Sequence, residues 1–498
     1  MSDQTASPGS PHHSEFVKAL TLTDATMLVA GSMIGSGIFI VSADISRTLG
    51  SPGWLLLAWV VTGIVTVLGA LAFGELAAMY PRAGGMYVFL RESMSPLMGF
   101  LYGWTLFIVI QTGTIAAVAV ATGKFLGVLF PAITADRWFL AFDIDAGGTV
   151  LEFGLSWQRV AGLISIWIFT WVNLRGVKEG KWVQNVLTFI KTASLVILIL
   201  LGLTIGRNAE AIAANFGGGN LFAGTPDLGT LFVVTFGSAL VGSLFSADSW
   251  HAPTFAAAEV QNPARNLPRA LLVGTVMVTA LYVLANVSYL MSLPMHGAAD
   301  GATIVARGID HATQDRVATA MMENIFGPNG ALIMAGAIVI STLGCNNGLI
   351  LSGARVYYAM AKDGSFFARA GELNEHGVPA FALVVQSLWT SLLCLTGTYN
   401  QLLDYVIFAA LVFYALTTVG LFLLRIQRPN EPRPYRAVGY PVLPALYVLA
   451  AAGVAITLLL AAKTRVQALS GLLIVLLGVP VYYWWHRGAD RSAGGHAA

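Results

Sequence analysis

A glycine-rich interruption lies in the first long apolar segment of the chain, in the stretch VAGSMIGSGIFIVSA at residues 29–43. Its helix-weakening residues are Gly31, Gly35, Ser36 and Gly37. A helix that breaks leaves backbone N–H and C=O groups without partners inside the helix. N–H groups after Gly37 suit a carboxylate, and carbonyls near Met33 and Ile34 suit an ammonium. The stretch therefore predicts a backbone site for a small molecule that carries both charges.

A second interruption occurs in the sixth apolar segment, as GSLFSADS at residues 242–249. Each interruption opens a block of five apolar segments, so the second block begins on the opposite side of the membrane. This pattern indicates an inverted repeat with two discontinuous helices, which marks the binding site in transporters. Gly31-x-x-x-Gly35 is also a packing motif of membrane helices, but two breaks at equivalent positions favour a binding site. No predicted strand precedes these glycines, which argues against a dinucleotide loop.

The overall composition predicts a protein that is surrounded by lipid. Of 498 residues, 56% are hydrophobic and 10% are charged, whereas soluble domains carry about 25% charged residues. The net charge is +2 and no basic tract stands out, so nothing indicates nucleic acid as a partner. Both cysteines, Cys345 and Cys394, fall in apolar segments. This placement predicts neither a disulfide framework nor a metal site.

Twelve segments are long and apolar enough to cross a bilayer as helices. These predicted spans 1 to 12 cover residues 24–47, 53–80, 96–130, 157–174, 181–206, 227–258, 267–293, 328–363, 380–398, 401–427, 440–462 and 466–487. We predict two five-helix repeats at residues 21–206 and 227–427, followed by two further helices at 440–487. The polar residues 1–20 and 488–498 are expected to be disordered tails. Basic residues are more numerous in the loops on the side of both tails, which predicts a multi-pass cell-membrane protein with both termini in the cytoplasm.

Four sequence motifs together resemble the amino acid–polyamine–organocation superfamily. They are GSMIGSGIF in span 1, GALAFGELAAMYPRAGGMYVFLRE in span 2 and the following loop, EVQNPARNLPRAL after span 6, and STLGCNNGLILSGARVYYAMAKDG in span 8. The last motif is similar to the branch of L-type amino acid transporters. The resemblance covers residues 20–440. It implies an all-α membrane fold of ten spans in two inverted five-span repeats plus two more, with broken helices in spans 1 and 6.

The resemblance also implies amino acid transport by alternating access and the residues that bind the substrate. The carboxylate is expected at the backbone amides of Ser36 and Gly37. The ammonium is expected at carbonyls of both breaks, here those of Met33 and, in span 6, of Phe245, Ser246 and Asp248. Ile34 and Gly35 of the first break are predicted to belong to the same substrate site. The aromatic ring of Phe245 occupies the place of a gate over the substrate.

The sixth break departs from the family pattern. Relatives usually have a glycine pair before a tryptophan, as in FAYGGW, whereas this chain reads FSADSW. One interpretation is that Asp248 caps the helix that resumes at Trp250, because Asp is a preferred N-cap residue. The other is that its carboxylate binds the substrate ammonium or a basic substrate side chain, because ionisable residues at mid-membrane depth are costly and usually functional. The sequence leaves both interpretations open.

A lysine lies in the apolar sequence VLTFIKTASLVILIL of span 5. Lys191 is too far from either end of the span to reach water easily, so it needs carbonyls, hydroxyls or an acid as partners. Ser341, Cys345 and the end of the first half-helix are candidates. In sodium-coupled relatives of this fold a metal ion ties span 1 to span 8, and in the sodium-independent L-type branch a lysine such as Lys191 takes that place. The alternative is a structural lysine that pairs with Asp248 or another acid.

Other residues of the spans are weaker candidates for the substrate site. Gln111 in span 3 is expected to border the substrate cavity, although such residues more often join helices by hydrogen bonds. Phe408 in span 10 is a candidate wall of the side-chain pocket. Glu259 after span 6 is either part of a gate of ion pairs or a solvated helix end. His251 is interpreted as structural rather than as a proton relay.

The sequence contains no catalytic motif, phosphate loop or metal-ligand cluster, so we expect neither an enzyme nor a cofactor or metal. We predict a sodium-independent secondary transporter that works by exchange or proton coupling. Small neutral amino acids are the expected substrates, because Ser246 and Ala247 add little bulk to the sixth break.

Two alternatives accompany this prediction. Asp248 keeps cationic amino acids or polyamines as possible substrates, and a channel with its filter at the breaks is an alternative of a different class. Some L-type relatives are joined to a heavy chain by a disulfide from an outer cysteine in the loop after span 3. Residues 131–156 contain no cysteine, so no disulfide-linked heavy chain is expected here. The sequence does not indicate the oligomeric state.

Overall fold

The computed structural model describes residues 16, 18–133, 137–145, 150–224, 229–395, 399–462 and 464–494. Within these ranges the chain consists mainly of long apolar helices. A helix satisfies its own backbone hydrogen bonds, and this makes it one of the two kinds of structure that can cross a hydrocarbon layer.

The helices follow one another along the chain in two halves. Those of the first half are Leu22–Met33, Ser42–Leu49, Pro52–Met79, Met86–Ser93, Pro96–Thr105, Gln111–Leu129, Trp157–Leu174, Val177–Leu203 and Ala209–Phe216. A π-helical stretch at Leu106–Ile110 joins the two helices of span 3. Those of the second half are Thr230–Ser246, Ala252–Phe255, Pro263–Ser292, Ile304–Arg307, Val317–Phe326, Pro328–Lys362, Ala380–Cys394, Tyr399–Gln427, Val442–Leu460 and Arg465–Gly494. Short 3-10 turns lie at Gly37–Phe39, Gly217–Phe222, Ala257–Glu259, Thr313–Asp315 and Ala368–Gly371.

Each predicted span contains a helix or a pair of half-helices. By length and composition, eight helices among the described residues can cross a membrane, and they belong to spans 2, 3, 5, 7, 8, 10, 11 and 12. Spans 1 and 6 are broken, and the helices of spans 4 and 9 are shorter. The predicted all-α membrane fold with broken spans 1 and 6 is confirmed. That all twelve spans cross the bilayer stays a prediction.

An antiparallel β-hairpin that we did not predict lies between spans 3 and 4. Its strands are β1 (Trp138–Asp145) and β2 (Val150–Ser156), and Phe142 stands opposite Phe153. The aromatic and aliphatic residues of WFLAFDID and VLEFGLS favour extended structure. A search for apolar segments of membrane length does not detect the short alternation of apolar with polar or small residues in FDID and LEFGLS.

The packing of the first five spans corresponds to that of the next five. Span 2 packs on span 7, span 3 on span 8 and span 4 on span 9. Contacts of span 1 with spans 5 and 7 have counterparts in contacts of span 6 with spans 10 and 2. Likewise, span 5 packs on span 8, and its counterpart in the second repeat, span 10, packs on span 3. A two-fold repeat predicts this pattern, whereas the boundaries of the two repeats stay a prediction.

Both predicted tails are partly structured. Of the first tail, residues 1–15 and 17 lie outside the described residues, but Leu20 is buried and its N–H donates to the Glu259 carbonyl at 2.9 Å. Its own carbonyl accepts from Gln261 N–H at 2.8 Å. At the other end the helix of span 12 continues to Gly494. The predicted bounds of the two disordered tails, residues 1–20 and 488–498, are therefore wrong.

Candidate functional site

The first predicted break is present in span 1. The helix ends at Met33, a 3-10 turn begins at Gly37, and the second half-helix begins at Ser42. Gly37 opens the turn, and N–H groups at the start of a helical turn have no partner within it. The break therefore leaves carbonyls at the end of one half-helix and amides at the start of the next turn without partners inside the helix.

The second predicted break is present in span 6, but its geometry differs from the prediction. The first half-helix ends at Ser246, and Ser249 has a positive φ of 64°, a backbone conformation that is uncommon for residues other than glycine. The helix resumes at Ala252 rather than at Trp250, with His251 as N-cap and no side-chain capping bond. The interpretation of Asp248 as a helix cap is therefore wrong.

Side chains from spans 5 and 8 hold the carbonyls of the first break. Lys191 is fully buried, and its ammonium donates to the carbonyl of Gly31, to that of Ile34 at 2.9 Å and to that of Ser341 at 3.4 Å. The Ser341 hydroxyl donates to the carbonyls of Ile34 and Gly35, each at 3.2 Å. The Cys345 thiol lies 3.1 Å from the Ser32 carbonyl. The three predicted partners of Lys191 thus lie together, although Cys345 reaches the break by itself.

These contacts correct one expectation about the first break. The Ile34 carbonyl already accepts from Lys191 and Ser341, and the Met33 carbonyl accepts from Gly35 N–H at 2.8 Å and from Tyr282 at 2.9 Å. A carbonyl oxygen has two lone pairs, so both carbonyls are fully used in this conformation. The expectation that Met33 and Ile34 offer free carbonyls is therefore wrong for this state.

Span 7 supplies three contacts to the first break that sequence analysis missed. The Tyr282 hydroxyl lies 2.9 Å from the Met33 carbonyl and 3.0 Å from the Ser246 carbonyl, so it bridges the two breaks. The Asn286 side chain accepts from the Ser42 hydroxyl at 2.6 Å, and the Tyr289 hydroxyl donates to the Ile38 carbonyl at 3.2 Å. The spacing Y-x-x-x-N-x-x-Y places these three side chains on one face of a helix. Polar groups on one face of an otherwise apolar span were the signal for them.

The two breaks lie directly against each other. A Cβ atom added at Gly37 would overlap the Ser246 hydroxyl and lie 3.0 Å from Ser246 Cα. A Cβ atom added at Gly35 would lie 3.2 Å from the Cys345 sulfur. Glycine at these two positions therefore permits the close approach of span 1 to spans 6 and 8. All the predicted substrate-site residues are buried, so the structure represents a state in which the site is closed to water.

Asp248 faces a different set of helices from the rest of the predicted site. The Tyr414 hydroxyl of span 10 donates to its carboxylate, and Ser249 supplies further hydrogen bonds. A cavity of about 20 Å³ adjoins it, lined by residues of spans 2, 6, 10 and 11. Among the described residues no ion pair joins Asp248 to Lys191, which donates to carbonyls instead. The described contacts therefore do not support the alternative in which Lys191 is a structural partner of Asp248.

The weaker candidates differ in what they do. Gln111 follows the π-helical stretch of span 3 and donates to the Leu349 carbonyl at 2.7 Å, so it joins spans 3 and 8. Phe245 and Phe408 are both buried. Glu259 is fully buried and its carboxylate accepts from Arg355 at 2.9 Å, which makes a solvated helix end wrong. This ion pair joins the segment after span 6 to span 8.

A family model described as "Amino acid permease" matches residues 20–482 of the chain. The chain belongs to the amino acid permease family. The match confirms the resemblance predicted from the motifs and extends it beyond residue 440 into span 12. A family of transporters is not expected to contain catalytic machinery, which agrees with the prediction that the chain is not an enzyme.

Several named proteins resemble the chain over most of its length. Large neutral amino acids transporter small subunit 2 of Mus musculus is 30% identical over 479 residues, which cover 94% of this chain and 82% of that protein. Serine/threonine exchanger SteT of Bacillus subtilis (strain 168) is 30% identical over 471 residues, with 94% and 96% covered. The b(0,+)-type amino acid transporter 1 of Homo sapiens is 27% identical over 477 residues, with 95% and 89% covered.

Proposed function

We propose that this chain is a sodium-independent secondary transporter that exchanges small neutral amino acids across the cell membrane by alternating access. The observation that carries this proposal is the contact between two broken helices, whose main-chain groups meet at Gly37 and Ser246 in a site closed to water. Family membership supports amino acids as the substrate class, and the name of the relative SteT supports exchange.

The substrate's carboxylate binds the amides at the start of the turn that begins at Gly37. The hydroxyl of Tyr282 lies near both the Met33 and the Ser246 carbonyl but has one hydrogen to donate. With that hydrogen donated to Met33, the Ser246 carbonyl keeps a lone pair that an ammonium can use. Substrate binding would place the ammonium at Ser246 and leave the Tyr282 hydrogen bond on Met33.

Lys191 serves in place of a sodium ion. Its ammonium donates to carbonyl oxygen atoms of span 1 and span 8. Oxygen atoms are also the ligands that hard metal cations prefer. A fixed ammonium ties the end of the first half-helix to spans 5 and 8 without a dissolved ion. This arrangement supports transport that does not depend on sodium.

The cationic substrates that Asp248 suggested receive no support from its position. Its cavity is lined by spans 2, 6, 10 and 11 rather than by span 1. We therefore favour neutral substrates with small side chains, because Ser246 and Ala247 are small and the two breaks approach closely. Membership of a permease family also disfavours the channel alternative.

We further propose that the transporter works without a disulfide-linked heavy chain and with both termini in the cytoplasm. Both cysteines are buried within spans 8 and 9, and the loop between spans 3 and 4 contains none. The excess of basic residues in the loops on the side of the tails supports the orientation.

Counterflow in liposomes tests this function. Purified protein is reconstituted with an unlabelled amino acid inside, and uptake of a labelled amino acid is followed with and without sodium and a pH gradient. We expect saturable uptake that needs a small neutral amino acid inside and is unchanged when potassium replaces sodium. Gly336→Ala is a matched control, because that glycine has no atom near its added Cβ. Uptake that requires sodium, or large unitary currents without counterflow, would refute the proposal.

A further inference from the structure

A buried carboxylate without a cation lies in the second break. Asp248 is 5% exposed, its partners are Tyr414 and Ser249, and no described Lys or Arg contributes to its environment. Transfer of a lone carboxylate into an apolar environment is costly, and buried charges are usually paired. Hydrogen bonds from neutral donors favour the charged form, whereas burial favours the neutral acid. Binding a proton would remove that cost.

The other titratable groups around Asp248 are neutral aromatic, imidazole and thiol side chains. They are Tyr414 of span 10, His251 of span 6, Tyr447 of span 11, Tyr102 of span 3 and Cys345 of span 8. From span 2, the cavity lining consists of Val65 and Thr66. Among the described residues none of the groups around Asp248 is a permanent cation, so a proton is what can balance its charge.

The geometry also offers a route for that proton. The adjoining cavity of about 20 Å³ has room for about one water molecule. The Tyr414 hydroxyl donates to Asp248 and lies 3.4 Å from His251 Nδ1. The hydroxyl can therefore turn from the carboxylate to the imidazole when Asp248 itself carries a proton and can donate.

We propose that Asp248, Tyr414 and the adjoining cavity form a proton-binding site that is loaded and unloaded during the transport cycle. A proton moves from a hydronium ion in the cavity to a carboxylate oxygen, which becomes a neutral carboxylic acid and leaves water behind. The reverse step returns the proton to water, and no other bond changes. This proposal rests on the transport function proposed above.

Asp248 lies where the movements of the transport cycle can change its surroundings. Asp248 follows Ser246 by two residues, and the Ser246 carbonyl shares the Tyr282 hydroxyl with Met33 of the first break. A movement that separates the two breaks also moves Asp248 relative to Tyr414 of span 10. The cavity then gains or loses water, and the preference of the carboxylate for its proton changes with it.

The test compares the wild type with Asp248→Asn in liposomes that contain a pH-sensitive dye. Asparagine keeps an acceptor for Tyr414 but cannot bind a proton. When the proton crosses with the amino acid in one direction of the exchange only, a pH difference of one unit supports about tenfold accumulation at equilibrium. We expect this accumulation and dye response in the wild type and their loss in Asp248→Asn when both are expressed per amino acid exchanged. Asp300→Asn, an exposed acid in an outer loop, is the matched control and should behave as the wild type.

Wild-type accumulation in Asp248→Asn, or active counterflow without proton movement in the wild type, would overturn the proposal. Failure of counterflow itself would instead refute the transport function. Infrared spectra of the purified protein test the proton-binding site separately from the transport function, because they need no transport. We expect a protonated carboxylic acid band in the wild type that Asp248→Asn lacks and that Tyr414→Phe shifts in frequency. A wild-type spectrum without that band at any pH from acid to neutral would also overturn the proposal.

Discussion

Replacing Lys191 tests how span 1 is held closed. In Lys191→Ala the ammonium that donates to the carbonyls of Gly31, Ile34 and Ser341 is lost. The Ile34 carbonyl keeps the Ser341 hydroxyl as a partner, whereas Lys191 is the side-chain donor to Gly31. The main consequence is therefore one buried carbonyl that lacks its donor in the closed state.

The size of the effect follows from that lost partner. A buried acceptor without a hydrogen bond costs about 1–3 kcal/mol. In an open state water can reach the same carbonyl, so the cost falls on the closed state alone. A loss of about 2 kcal/mol lowers the ratio of closed to open molecules about 30-fold. We expect transport by Lys191→Ala to fall by a similar factor, while removal of a buried charge leaves the folded protein stable enough to purify.

Initial rates of counterflow in liposomes measure this effect. Ser194→Ala is the matched control, because Ser194 lies one turn further along the same helix and donates to its own backbone at Ile190. Lys191→Arg keeps the charge but is larger, and the Lys191 ammonium already lies near Gly344, so we expect it to be impaired as well. Lys191→Ala that transports at the wild-type rate with unchanged pH dependence would refute the reasoning.

Three further predictions concern the contacts around the breaks. Gly37→Ala places a methyl group into the Ser246 hydroxyl, so counterflow should fall more than tenfold, whereas Gly336→Ala should transport normally; equal rates would contradict the close contact. Glu259→Gln removes the acid from a buried ion pair with Arg355, and breaking such a pair costs about 3–5 kcal/mol. Its thermal midpoint should drop, and an unchanged midpoint would exclude a stabilising role. Sodium should partly restore transport by Lys191→Ala if the vacated oxygen atoms bind a cation, and sodium titration of counterflow measures this.

The sequence predicted the breaks and the buried lysine for physical reasons that need no tertiary information. A cluster of small residues in an apolar segment weakens a helix wherever the segment lies, so the breaks in spans 1 and 6 follow from composition. Lys191 lies too far from the ends of its span to reach water, so partners on neighbouring helices were required. The structure places those partners at Ser341 and at the carbonyls of Gly31 and Ile34.

Other features depend on packing and could not be read from single segments. That the Met33 and Ile34 carbonyls already have donors depends on the approach of spans 5, 7 and 8. Asp248 was expected at the substrate or as a cap, yet its direction follows from where Ser249 turns the backbone and where Tyr414 of span 10 lies. Pair contacts between distant segments of this kind have no signature in local composition.

The β-hairpin and the ends of the chain illustrate the same limit. The search for membrane spans used windows of about 20 residues, which average out the short alternation of strands β1 and β2. Leu20 belongs to the fold because its backbone pairs with Glu259 and Gln261. Polar composition at the N-terminus gave no sign of that pairing.

A structure with bound substrate tests the central claim most directly. Cryo-electron microscopy of the protein with a small neutral amino acid such as serine can locate the ligand relative to the two breaks. We predict a carboxylate within about 3 Å of the Gly37 amide and an ammonium at the Ser246 carbonyl, with Lys191 still at Gly31 and Ile34. A ligand bound away from both breaks, or either span traced as one continuous helix, would contradict the account.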